Sequence, residues 1–448
     1  MFLVIDWAGI GIKTLQFILS FSILVTLHEM GHFFTARWFK CRVEKFYLFF
    51  NPWFSLWKKQ VGETEYGLGW VPFGGYVKIS GMVDESMDKE QMKLPPQPYE
   101  FRSKPAWQRL IIMLGGVTVN VLLAFFIYAM MLWQWGESFI PTNKMTYGVA
   151  ADSLAQSIGL KNGDKILSVD GNYIDRFSKI PLQVILSDAK TFEVDRNGEK
   201  IIIPIPEDFG GKLISSRDLG FISLRMPFNN IGEVSDTSVA KKAGLQKGDK
   251  ILTINNTPTP FFDEFKKIIS ANKGKNVALF YLRNNDTLQT NLVVPVTGMI
   301  GIANDVPETM FEKTNLEYGF FESFPAGIVK GLETLNSYWL QLKLMVSGKV
   351  NPNESVGSVI SIGNMFSSVW DWSQFWGLTA FFSMALAIMN LLPIPGLDGG
   401  HALFTIIEMV SGRKPSDKFM EYAQMVGMVL LLSLMVYALG LDVWRIFK

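Results

Sequence analysis

The chain has 448 residues, a formal net charge of +1 and a hydrophobic content of 48%. A charge this close to zero gives no electrostatic basis for binding nucleic acid. The single cysteine, Cys41, excludes an intrachain disulfide framework and a thiol-only zinc cluster. The length exceeds one small domain and leaves room for a membrane part with two or three further modules.

The first apolar run, about 14–36, is long enough to span a bilayer and is interrupted only by His28-Glu29-Met30-Gly31-His32. The i, i+4 spacing puts both imidazoles on one helix face, where they can share a Zn²⁺, with Glu29 beside it as general base on a water. Lone His-x₃-His pairs are often incidental. With only three histidines in the chain, though, and with ionisable groups costly inside a bilayer, these residues point to hydrolysis within the membrane. A cleaved signal peptide would need a basic start, whereas Asp6 and a single Lys13 precede the run, and cleavage would destroy the motif. The segment is therefore expected to be a retained helix.

Residues Glu65 to Ile79 alternate as strand, turn, strand and are expected to form a β-hairpin containing Gly67, Gly69, Gly74 and Gly75. The second span is expected at 110–136, the third within 372–397 and the fourth at 422–441. Arg37, Lys40, Arg42, Lys45, Lys58 and Lys59 follow the first span, and Arg413, Lys414 and Lys418 lie between the third and fourth. The positive-inside rule makes both loops cytoplasmic, with the termini and the long central segment outside and the metal nearer the cytoplasmic face.

The central segment is a tandem repeat. Ala155 to Asp170 aligns with Ala240 to Asn255, with Gly159 and Gly244 in the same place. Each copy reads as a short helix, a Gly-Leu stop, a Gly-Asp turn and an apolar strand. The pattern resembles the PDZ domains of bacterial envelope proteases. That resemblance implies β-rich domains over 138–218 and 219–303. Leu219-Gly220-Phe221 and Ile300-Gly301-Ile302 would be loops that capture peptide C-termini. The segment 304–371 connects to the last membrane part, and within it 320–346 is expected to be an amphipathic helix along the membrane or over the site entrance.

Two imidazoles leave a catalytic zinc short of one protein ligand. The third span contains Asn390-Leu-Leu-Pro393-Ile-Pro395-Gly-Leu397-Asp398-Gly399-Gly400-His401. Its two prolines must break the helix, and unwound backbone at membrane depth survives only inside protein or against a wet cavity. Asp398, just after that break, is the expected third ligand.

HExxH in a first membrane helix with N-x-x-P-x-P-x-L-D-G in a later one resembles the site-2 protease family of intramembrane metalloproteases. The PDZ tandem points to its RseP-type bacterial branch. The resemblance covers essentially the whole chain. It implies that His28, His32 and Asp398 bind Zn²⁺, that Glu29 is the catalytic base and that Asn390 helps hold substrate near the metal. It makes the 65–79 hairpin membrane-reentrant, and His401, not a ligand in the family, is expected to support the ligands from behind or to be structural; the hairpin's exposed strand edge could pair with extended substrate backbone. Two departures stand out: the second-span G-P-x-x-N reads Gly116-Val117-Thr118-Val119-Asn120, and the G-P-I-S-I stretch reads Gly357-Ser358-Val359-Ile360-Ser361-Ile362.

The expectation is an α-helical polytopic membrane protein with four transmembrane helices, two inserted PDZ-like β domains and a membrane-associated β-hairpin. Its membrane halves are 1–137 and 372–448. It would be a zinc endopeptidase of the bacterial inner membrane acting on single-span proteins in the lipid bilayer, anti-sigma-factor-like proteins and signal-peptide remnants among them. A PDZ scaffold with a relic metal site has no reason to keep both Glu29 and Asp398. A metal transporter would need metal-site residues along further spans, and the second and fourth carry no charge or histidine.

Overall fold

The computed structural model describes residues 6–82, 94–187, 189–215, 220–307, 309–346 and 357–447. The chain divides into two units, Met1–Glu137 with Glu317–Lys448, and Ser138–Leu316.

Among the described residues the first unit contains six long helices: α1 (Trp7–Trp38), α2 (Ala106–Trp135), α3 (Phe320–Val346), α4 (Trp372–Leu391), α5 (Asp398–Ser411) and α6 (Asp417–Phe447). Of these, α1, α2, α4 and α6 are long and apolar enough to cross a membrane. Asp6 caps α1 by accepting from the Gly9 amide, and Asp371 caps α4 by accepting from the Ser373 and Gln374 amides. The expected third span, within 372–397, is α4. Helix α4 stops at Leu391 because residues ahead of Pro393 and Pro395 are pushed out of helical geometry, and α5 restarts at Asp398. The substitution of Val117 for the family proline leaves α2 unbroken from Ala106 to Trp135.

The expected 65–79 hairpin is corrected. After α1 come β1 (Val43–Phe50), β2 (Trp57–Val61), β3 (Thr64–Leu68) and β4 (Val71–Ile79), in the order β2-β3-β1-β4. The two segments read as hairpin arms, β3 and β4, do not pair with each other. β3 lies parallel to β1 with Phe46 opposite Tyr66, and β4 lies antiparallel on its other side with Tyr47 opposite Tyr76. The sequence alternation of 65–79 is blind to β1, which separates the two. β4 is thereby an edge strand.

The helix expected over 320–346 is α3. It packs antiparallel along α2: a Cβ on Gly327 would lie 2.5 Å from the Ala129 nitrogen, and Thr334 donates to the Tyr128 hydroxyl at 3.3 Å. Where the family proline is replaced by Ser358, the hydroxyl caps the short helix Val359–Gly363. Asp442 of α6 accepts from the Ser358 amide (2.9 Å) and hydroxyl (2.6 Å) and from the Ser361 amide (3.1 Å) and hydroxyl (2.7 Å). Cys41 is buried in a cluster with Ala36, Val43, Ile79 and Met113, and burial pushes its thiol up.

The second unit has two successive cores, one around Val149, Phe192 and Phe221, the other around Ile231, Phe265 and Leu279. The repeated Gly-Asp turn is locked the same way in each. Asp164 caps the Lys161 amide and takes a two-pronged bond from Arg196, which also reaches the Gly159 carbonyl. Asp249 does the same with the Gln246 amide, Arg283 and the Gly244 carbonyl. Of the two expected C-terminus-binding loops, Leu219 lies outside the described residues. Phe221 and Ile300 point into their own cores, and the strands that follow, Ile222–Leu224 and Ile302–Asn304, pair with Val149–Ala151 and Ile231–Val234.

Candidate metal centre

His28 and His32 lie one turn apart on α1, with their Nε2 atoms 3.3 Å apart. Asp398, the first residue of α5, brings its Oδ2 to 3.2 Å from the His28 Nε2 and 3.3 Å from the His32 Nε2. Both imidazoles are buried, at 7% and 6% exposure. The Asp398 Oδ2 is buried yet in hydrogen-bonding geometry with neither ring. Three atoms able to bind a metal converge here. The edge of a tetrahedron around zinc, with bonds of about 2.0–2.1 Å, is about 3.3–3.4 Å. The three spacings match it, so these residues fit a zinc ion.

Helix α2 backs both imidazoles. The His32 Nδ1 lies 2.8 Å from the Ile112 carbonyl. A carbonyl only accepts, so Nδ1 carries the proton and Nε2 presents its lone pair to the centre. The His28 Nδ1 lies 3.1 Å from the side-chain amide of Asn120. This closeness requires bare backbone on α2: a Cβ on Gly116 would fall 2.5 Å from the His32 Nε2 and 2.7 Å from the His28 Nε2. The Gly pair at 115–116 and one fully buried Asn in an otherwise uncharged span were the available signal. Helix α5 is tied to the start of α2 by a buried ion pair between Arg109 and Glu408.

A cavity of about 370 Å³ opens beside the three ligand atoms, lined among others by Glu29, Gly75, Tyr76, Val77, Ile79 and Met113. Glu29 thus faces the same space as His28, His32 and Asp398. The edge strand β4 forms one wall. Of the four glycines named from sequence, Gly75 lines the cavity. Gly74 precedes it with φ +135° against the Phe50 ring, and Gly67 and Gly69 lie at β3 against the Tyr47 ring and the β1 carbonyls. The Asn390 amide sits 3.2 Å from the His28 Nε2, at the unwinding end of α4. His401 is half-buried on the first turn of α5 and outside the three-residue ligand group.

The description of peptidase family M50 matches residues 16–434, nearly the whole chain. The chain belongs to peptidase family M50. A Vibrio cholerae protein assigned by name to the zinc metalloproteases is 30% identical, covering 96% of this chain and 98% of the relative. The regulator of sigma E protease of Haemophilus influenzae and the regulator of sigma-E protease RseP of Escherichia coli are each 28% identical, over 96% of this chain and 98% of theirs. This M50 peptidase is therefore a zinc metalloprotease of the site-2 protease type. Its cofactor is Zn²⁺, and it is a polytopic membrane protein with inserted β domains.

Proposed function

We propose that this M50 peptidase cleaves single-span membrane proteins within or beside their transmembrane helix, using His28, His32 and Asp398 to hold zinc and Glu29 as the general base. The reading is carried by the near-tetrahedral spacing of those three donor atoms inside a bundle of membrane-length helices. When bound, zinc lowers the pKa of a water towards neutrality and polarises the scissile carbonyl. Glu29 takes the water's proton and returns it to the leaving amine. Asn390 steadies the substrate backbone beside the ligands.

A transmembrane helix resists hydrolysis because its carbonyls are already hydrogen-bonded and water is excluded. The edge of β4 that is unpaired among the described residues, on the strand that lines the cavity, offers main-chain partners to a substrate that unwinds. Two relatives are named for the regulation of sigma E, and we infer anti-sigma-factor-like proteins as substrates, with signal-peptide remnants as a second group. We place the protein in the bacterial inner membrane, with both Lys/Arg-rich loops cytoplasmic and the metal nearer that side. The tandem β domains act as PDZ modules outside the membrane and exclude substrates with intact ectodomains. Strands Ile222–Leu224 and Ile302–Asn304, each paired on one side among the described residues, are their candidate edges for peptide C-termini.

The test is Glu29→Gln in the full-length protein. It should bind one zinc and leave a single-span substrate uncut, and transmembrane fragments should accumulate in its cells relative to wild type. Undiminished cleavage would overturn the mechanism. Deleting 138–303 should admit untrimmed substrates, and continued resistance of those substrates would remove the filter.

A further inference from the structure

Asn120 is completely buried in α2, in the middle of an apolar span. Burying an unsatisfied amide is costly, so a polar side chain at this depth needs a reason. Its amide contacts the His28 Nδ1 at 3.1 Å. As placed, the nitrogen Nδ2 faces the ring, and the oxygen Oδ1 is left buried without a partner. Amide nitrogen and oxygen are interchangeable by a half-turn.

The chemistry of the ligand decides the orientation. If the His28 Nε2 gives its lone pair to zinc, the ring proton must sit on Nδ1, and that proton needs an acceptor. Turning the Asn120 amide supplies Oδ1 as that acceptor and removes the orphan. The His32 proton is already fixed by the Ile112 carbonyl. Ile112 and Asn120 stand eight residues apart on α2, about two turns, so one face of this helix serves both rings.

We propose that Asn120 is the positioning residue of His28: its Oδ1 accepts the Nδ1 proton, holding the ring in the tautomer and orientation that bind zinc. This rests on the reading that His28 is a zinc ligand. Outer partners of metal-bound histidines are worth 10–100-fold in metal affinity. Asn120→Leu keeps size and removes the acceptor. Asn120→Asp keeps an acceptor and puts a carboxylate behind the ring.

Zinc affinity of the purified full-length protein in detergent, measured by competition with a chromogenic chelator, separates the roles. Asn120→Leu should bind zinc roughly 10–100-fold more weakly, and Asn120→Asp should bind within a few-fold of wild type or more tightly. A residue that merely packs α2 against α1 predicts the reverse order, since a buried carboxylate is worse than leucine there. Wild-type affinity in Asn120→Leu, or a loss in Asn120→Asp equal to that of leucine, overturns the proposal. If leucine prevents folding, the aspartate result decides alone. His28→Ala is the control: if it retains full zinc affinity, the ligand reading itself fails, whereas zinc lost there but kept in Asn120→Leu refutes only the role of Asn120.

Discussion

The two units build their buried polar groups in opposite ways. In the Ser138–Leu316 unit each Gly-Asp turn is closed by an arginine 32 or 34 residues further on, the same lock made twice from local sequence. In the membrane unit the candidate metal centre joins His28 to Asn120, Asn390 and Asp398, partners up to 370 positions away. A local lock can form within its own domain. A centre assembled from four helices exists only when the whole bundle is packed, so damage to one should be confined and damage to the other should spread.

The largest effect is expected from Asp398→Ala. It removes the only acidic member of the ligand group, and stoichiometric zinc and substrate cleavage should fall to background together. Metal analysis of the purified variant checks this, and one equivalent of tightly held zinc would break the picture of a centre shared between α1 and α5. Gly116→Ala should come next. Its Cβ cannot be placed without displacing the two imidazoles or moving α2, an overpacking cost of about 3 kcal/mol. Zinc affinity should drop on the order of 100-fold although no ligand has been changed. Unaltered affinity would show that α2 can retreat freely.

The legibility of the chain follows the same division. The β domains were readable because their signals are local: Gly-Asp turns, short apolar strands and an offset copy of the same pattern. The candidate ligands and base stood out for another reason, that histidine, glutamate and aspartate are costly in apolar helices. What escaped were relations between segments. No pattern within 65–79 reveals that β1 sits between the two strands there. Asn120 and the Gly115–Gly116 pair acquire meaning only when α2 is laid against α1. The connecting helix 320–346 has the composition of a surface helix, and glycines at 327 and 331 that fit against α2 were the overlooked sign.

A confined effect is expected in the second unit. Asp249→Ala removes the partner of Arg283 and the cap on Gln246, and should cost about 3 kcal/mol. Hydrogen exchange on the full chain should rise in peptides from 228–300 and stay unchanged in those from 145–222. Asp164→Ala should give the mirror result, and the two costs should add. Loss of protection in both halves from either variant would mean that the repeated locks belong to one cooperative body.

The smallest effect concerns a departure from the family pattern. Restoring proline at Ser358 would supply the residue often seen there, yet here the serine has taken over two tasks. Its amide and its hydroxyl both donate to Asp442, and the hydroxyl also caps the Val359–Gly363 helix. Proline has neither donor, so Ser358→Pro should destabilise the membrane unit by about 1–2 kcal/mol, with the Ser361 bonds and Arg445 still satisfying the carboxylate. Thermal unfolding in detergent measures it. Replacing Asp442 by Asn in the same background separates the causes: if the serine–aspartate lock is what replaced the proline, the second substitution should cost less in the proline variant than in wild type. Full additivity of the two would mean that Ser358 and Asp442 act independently, and the proline was lost without compensation.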